Sequence, residues 1–97
     1  MRIAEIIGTV TLNRSHPSLG GGTFRLALPL SLDDLLGNST PQADVVVLYD
    51  ELGAGNGSQI ALSESSEAAA PFYPEIKPVD AYNAAILDKI NIAPSAT

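Results

Sequence analysis

Apolar and polar residues alternate most regularly in Thr23-Phe24-Arg25-Leu26-Ala27-Leu28-Pro29-Leu30. Phe24, Leu26, Leu28 and Leu30 fall on one face, Thr23, Arg25, Ala27 and Pro29 on the other, and a period of two predicts a β-strand. Pro29 has no N–H to give a ladder, so that end of the strand lies at an edge or leaves the sheet. Ile3 to Leu12 is rich in β-branched residues and is interrupted only by Gly8, which predicts a strand bent or bulged at the glycine. The apolar run Val45 to Tyr49 has the look of a buried strand, and Gln59 to Leu62 of a short one.

Helical signals are few and short. Ser31-Leu32-Asp33-Asp34-Leu35-Leu36-Gly37 predicts a single turn, with Ser31 as N-cap, acids at the positive end of the peptide dipoles, leucines at helical spacing and Gly37 as terminator. Ser63 to Ala70 holds good helix formers behind a serine cap and is stopped by Pro71, for about two turns. The last segment fits two periods. Val79, Tyr82, Ile86 and Ile90 stand near helical spacing with Asp80 available as a cap, which slightly favours helix, while Ala84, Ile86, Ile90 and Ile92 share one face of a strand. Asn13 to Gly22, with Pro17 and three consecutive glycines, is a loop. No repeat and no second domain interrupt the chain, which is expected to form one domain over residues 1–92 with a tail at 93–97.

Composition narrows the function classes. A 97-residue chain buries only about 60 to 65% of the surface its unfolded form exposes, so its core is thin. Yet 45% of the residues are hydrophobic and only 16% charged, a surplus that points to contacts between subunits. Five basic against eleven acidic residues give a net charge of −6, which repels nucleic-acid phosphates and anionic lipid headgroups. There is no cysteine, hence neither a disulfide framework nor a thiolate ligand or nucleophile. A soluble cytoplasmic protein is expected, with neither nucleic acid nor membrane as partner.

The segment Asp50-Glu51-Leu52-Gly53-Ala54-Gly55-Asn56-Gly57-Ser58 follows an apolar run and superficially suits a phosphate cradle. A Walker loop, however, needs Lys and Ser or Thr directly after its last glycine, whereas Gly57 is followed by Ser58-Gln59. A dinucleotide fingerprint needs other spacing and a long helix behind it. The glycines are better read as supplying positive φ, or close backbone approach, in a connection between strands. Catalysis finds no more support. His16, the only histidine, sits before a proline in a glycine-rich loop, and the paired acids Asp33-Asp34 and Asp50-Glu51 suit helix starts and turn entrances. Without further histidines or the alternating acids of a calcium loop, no metal, cofactor or catalytic site is expected.

Several stretches together resemble one family, the pentameric vertex proteins of bacterial microcompartments, which include the carboxysome and ethanolamine-compartment vertex subunits. The resemblance begins at Met1-Arg2-Ile3-Ala4 through Ile7-Gly8-Thr9-Val10 and continues in Arg14-Ser15-His16-Pro17-Ser18-Leu19. It is most specific at Asp50-Glu51-Leu52-Gly53-Ala54-Gly55-Asn56-Gly57, which looks like the family's Asp-x-x-Gly-Ala-Gly-x-Gly signature. Ser65-Ser66-Glu67-Ala68 and the closing Pro78-Val79-Asp80 through Ile90 are similar as well. Ser31 to Pro41 is several residues longer than the usual connection, and Asn83 and Ala85 stand where the family tends to have an apolar residue and glycine.

The resemblance implies a mainly β protein: a five-stranded OB-like barrel with one short helix between the last two strands and a C-terminal extension, assembling as a cyclic pentamer. It would resolve the ambiguous terminal segment as a helical turn over Val79 to Tyr82 and a strand over Ala84 to Ile92. The implied role is structural and not enzymatic, closing a microcompartment shell beside hexameric shell proteins. The loop Gly53, Ala54, Gly55, Asn56, Gly57 and Ser58 would approach the five-fold axis or serve only as a turn, and Arg14, His16 and Arg25 would meet neighbouring tiles. The rival readings are an OB-like ligand-binding module without a ring, and a small lyase or hydrolase built on the acidic clusters.

Overall fold

The computed structural model describes residues 1–11, 23–64 and 81–93. In chain order they form β1 (Arg2–Val10), β2 (Thr23–Pro29), α1 (Leu32–Leu36), β3 (Val46–Asp50), β4 (Gln59–Glu64) and β5 (Ala81–Leu87). The strands close into a barrel in the order β1-β2-β3-β5-β4. Neighbours are antiparallel except β3 and β5, which run parallel and pair at Tyr49 and Tyr82. This is the five-stranded, mainly β barrel that the resemblance implied.

Five strands enclose little space, and the side chains inside are correspondingly small or paired small against large. The interior cluster is Ala4, Ile6, Ala27, Leu48, Ala54, Ile60, Leu62 and Ala81. Cross-strand register sets Ile6 opposite Ala27 and Ile60 opposite Ala4. Burying Ile6, Leu48, Ile60 and Leu62 stabilises the fold by about 1.5–3 kcal/mol each. The same narrowness decides how β2 is turned. Its regular alternation places Ala27 and Pro29 inside, and Leu26 and Leu28 outside and only half-buried. Pro29 pairs with Ala4 on β1, but the β2–β3 ladder starts only at Ala27, so the proline needs no second partner, as an edge position requires.

The predicted irregularity at Gly8 is present. Register between β1 and β2 shifts between Ile6 and Gly8, leaving Ile7 bulged out and exposed. A Cβ on Gly8 would stand 3.3 Å from Leu26 Cδ1, so glycine lets that leucine lie flat across β1.

Helix α1 also forms as the pattern predicts, and its start is a full capping box. The Ser31 hydroxyl accepts from Asp34 N–H at 3.1 Å, while the Asp34 carboxylate accepts from Ser31 N–H at 2.9 Å. Hydrogen bonds from the Ser39 hydroxyl foremost, and then from Ser31, hold the Asp34 carboxyl below its usual range. The helix ends at Gly37, whose N–H reaches the Asp33 and Asp34 carbonyls.

The terminal segment departs from expectation. Tyr82 belongs to β5 and not to a helical turn, and the strand covers Ala81–Leu87 instead of Ala84 to Ile92. Pairing with β4 from Gln59–Leu87 to Glu64–Ala81 fixes these residues, and long-range hydrogen bonds outweigh a local helical spacing. Ser63 likewise is a strand residue of β4 and not a helix cap. The rest of the expected Ser63 to Ala70 helix, the helix between the last two strands, and the loop Asn13 to Gly22 lie outside the described residues. At one end of the barrel Arg2 and Glu64 form a two-pronged ion pair, Nε–Oε1 2.6 Å and Nη2–Oε2 2.9 Å.

Candidate functional site: the glycine turn between β3 and β4

The turn is built outward from one buried carboxylate. Asp50 ends β3 with only 2% of its surface exposed. Its Oδ1 accepts hydrogen bonds from Leu52 N–H and Asn83 Nδ2, both at 2.9 Å, and its Oδ2 from Ala54 N–H at 2.9 Å. Arg25 Nε lies 3.6 Å from Oδ2 and adds an opposite charge. Three donors thus replace the water this carboxylate would otherwise need, and two of them are backbone groups two and four residues on. The chain is drawn back over the end of the barrel, and Ala54 is pressed into the core.

The far limb is anchored to β1. Gly57 N–H donates to the Ile6 carbonyl at 2.8 Å, Ile6 N–H to the Ser58 carbonyl at 2.9 Å, and Ser58 N–H to the Gly55 carbonyl at 3.0 Å. Two positions of the turn need glycine for their backbone: Gly53 has φ 77° and Gly57 φ 87°. A side chain there would carry a left-handed conformation costing about 1–2 kcal/mol. Gly55 differs. Its φ is not positive, and a Cβ on it would meet nothing within 4 Å. It lies exposed at the tip beside Asn56.

Two of the donors that a phosphate cradle would use are already taken. The Leu52 and Ala54 N–H groups, which a phosphate-binding loop would turn toward its ligand, are already occupied by Asp50. The segment is a strand-to-strand turn, pinned at both limbs with its tip outward. Among the described residues no group of three or more His, Asp or Glu side chains is placed to hold a metal ion.

Of the three candidates for contacts with neighbouring tiles, Arg14 and His16 lie outside the described residues. Arg25 is held within the chain. Its Nη1 donates to Thr9 Oγ1 at 2.6 Å, its Nε faces Asp50, and 21% of the side chain remains exposed. Asn83 is the site residue that the pattern did not assign, fully buried on β5 and bonded to Asp50 thirty-three positions earlier. Its only signal was a polar residue where the family tends to be apolar. Elsewhere, a cleft of about 340 Å³ opens between Arg2, Leu30 and the β2–β3 connection, lined by Ser31, Asp34, Ser39 and Gln42 among others.

Residues 1–88 match the family described as ethanolamine utilisation protein EutN/carboxysome. The carboxysome shell vertex protein CcmL of Gloeobacter violaceus is 34% identical, the match covering 95% of this chain and 87% of that protein. Its counterpart in Nostoc sp. is 35% identical over the same shares. Among solved structures, Gloeobacter violaceus CcmL superposes with a TM-score of 0.80 at 28% identity, covering 95% of this chain and 90% of that one. The GrpN pentameric microcompartment shell protein from Rhodospirillum rubrum superposes with a TM-score of 0.78 at 26% identity, covering 96% and 100%.

Proposed function

The chain belongs to the ethanolamine utilisation protein EutN/carboxysome family, and from that premise we propose that it is a structural subunit of a bacterial microcompartment shell, five copies of which form a vertex. The observation that carries this reading is similarity along nearly the whole chain to carboxysome shell vertex proteins, joined to the same barrel. The work of such a subunit is geometric. A flat sheet of six-sided tiles cannot close, and five-sided pieces at the corners let it do so. A head-to-tail interface whose rotation closes after five copies produces one, each subunit offering one patch and receiving a different one.

The surface suits that demand. Ile7, Val45, Val47, Leu52 and Ile86 are large apolar residues left exposed on a chain too small to bury them. Five copies sum to 5 × (−6) = −30 charges, so a ring that survives this repulsion must bury apolar surface, at roughly 25 cal/mol per Å². We propose that the loop Gly53 to Ser58, with its exposed tip at Gly55 and Asn56, approaches the five-fold axis, where small residues let five backbones crowd together. Arg14, His16 and the exposed part of Arg25 are assigned to contacts with neighbouring tiles, the hexameric shell proteins. The location is the shell of a microcompartment in the cytoplasm, and the role is not enzymatic.

Light scattering on the purified chain tests the ring. Five copies of 10.1 kDa give 5 × 10.1 = 50.5 kDa. A species of 10.1 kDa at high micromolar concentration would refute the vertex role.

A further inference from the structure

We infer that the run following β5 in one copy lies across the outer face of β1, β2 and β3 of the next copy, an inference that rests on the ring proposed above. The receiving face is apolar and exposed. Leu26 stands at its centre, paired with Gly8 on one side and Val47 on the other, and the bulged Ile7 lies beside it. Val47 is 46% and Ile7 44% exposed, and Leu26 is half-buried. Because Gly8 has no side chain, Leu26 spreads toward β1 and the face is shallow. At its rim Glu5, paired with Leu28, is half-buried and makes no ion pair with another described residue.

The occupant is indicated by the opposite end of the chain. The β4–β5 ladder stops at Gln59 and Leu87, and residues 88–93 form no regular structure and no backbone hydrogen bond with other described residues. Ile90 and Ile92, two apart, are only half-buried, and Lys89 is exposed. Of the described cations, Arg2 is paired with Glu64 and Arg25 with Asp50, whereas Lys89 has no acid partner among the described residues. In extended form six residues span about 20 Å, against about 10 Å across three strands, so the run is long enough to cross the face.

The run does not occupy this face on its own barrel, since the face stays exposed with residues 88–93 in place. β2 is also separated from β5 by β3 one way and by β4 and β1 the other. Docking on the next copy places Ile90 and Ile92 against Leu26 and Val47 and brings Lys89 to Glu5. The two patches differ, as a head-to-tail ring requires, and their apolar and charged features are complementary.

The natural chain has no cysteine, which makes cross-linking clean. Val47→Cys and Ile92→Cys single variants, mixed and oxidised, should give covalent dimers that neither gives alone, and the double variant should give a ladder reaching five chains. Removing residues 88–97 should leave a folded barrel, checked by its circular dichroism and melting, at the mass of a single chain. Glu5→Lys and Lys89→Glu should each raise the concentration at which the ring dissociates about tenfold, and the pair together should restore it. A wild-type ring whose mixed variants do not cross-link, whose double variant closes disulfides only within single chains, or whose truncated form keeps the full mass overturns the inference while leaving the vertex role standing. A wild-type chain that stays single overturns both.

Discussion

Replacing Asp50 with alanine removes the group on which the glycine turn is built. In the folded chain its carboxylate accepts three hydrogen bonds and faces the Arg25 guanidinium. Alanine leaves the Ala54 N–H and the Asn83 amide buried without an acceptor, at about 1–3 kcal/mol each, while the Leu52 N–H can turn to water. It also leaves the largely buried Arg25 charge without its acid, so the total loss should be about 3–5 kcal/mol. That is a large share of the roughly 5–15 kcal/mol available to a domain of this kind. Urea titration followed by circular dichroism measures it directly, and the melting temperature should fall by about 4–8 °C for each kcal/mol. Asn83→Ala, which removes one donor and leaves both backbone donors on Asp50, should cost about 1–2 kcal/mol. If Asp50→Ala costs less than about 1 kcal/mol, or no more than Asn83→Ala, the carboxylate is not the anchor of the turn.

The two kinds of glycine in the turn should respond differently. Gly57→Val places a β-branched residue at φ 87° and should lower folding stability by at least about 1–2 kcal/mol, whereas Gly55→Val should leave the melting curve of the isolated barrel unchanged within about 0.5 kcal/mol. If the tip crowds a five-fold axis, Gly55→Val should nonetheless shift the mass seen by light scattering toward single chains; an unchanged ring removes the tip from the axis. Ser31→Ala breaks the capping box and should cost about 1 kcal/mol in thermal unfolding, with a loss below about 0.3 kcal/mol contradicting the role of the cap. Glu64 is held below its usual pKa by the hydrogen bond from Arg2 first and by its charge second, opposed by desolvation. Its contribution is therefore present above the ordinary glutamate pKa and is lost as pH falls through the depressed folded value. Both partners are partly exposed, 49% and 34%, so Glu64→Gln should cost under about 1 kcal/mol at pH 7 and nothing once the native carboxylate is protonated; a gap that widens in acid would reverse the sign.

Much of the fold is written in local chemistry. The β2 alternation, the bulge at Gly8, the Ser31 cap with its closing Gly37, and the glycine turn after β3 each follow from properties a residue has with its immediate neighbours: side-chain phase, a missing Cβ, a short polar acceptor. The order of motifs was enough to indicate the family, and with it the barrel. Other features depend on residues far apart in the chain. Nothing near Tyr82 distinguishes strand from helical turn until β4 and Tyr49 come alongside it. Asp50 reads as an ordinary turn acid until the barrel brings Asn83 and Arg25 to it.

The sequence by itself determined which residues of β2 share a face, but only the closed barrel decided that the leucines point outward, because five strands enclose room for Ala27 and not for Leu26. Likewise it determined that the chain carries more apolar side chains than a small core can hold. Tertiary structure decided where the remainder lies, since burial is settled by what packs against a residue and not by what precedes it in the chain.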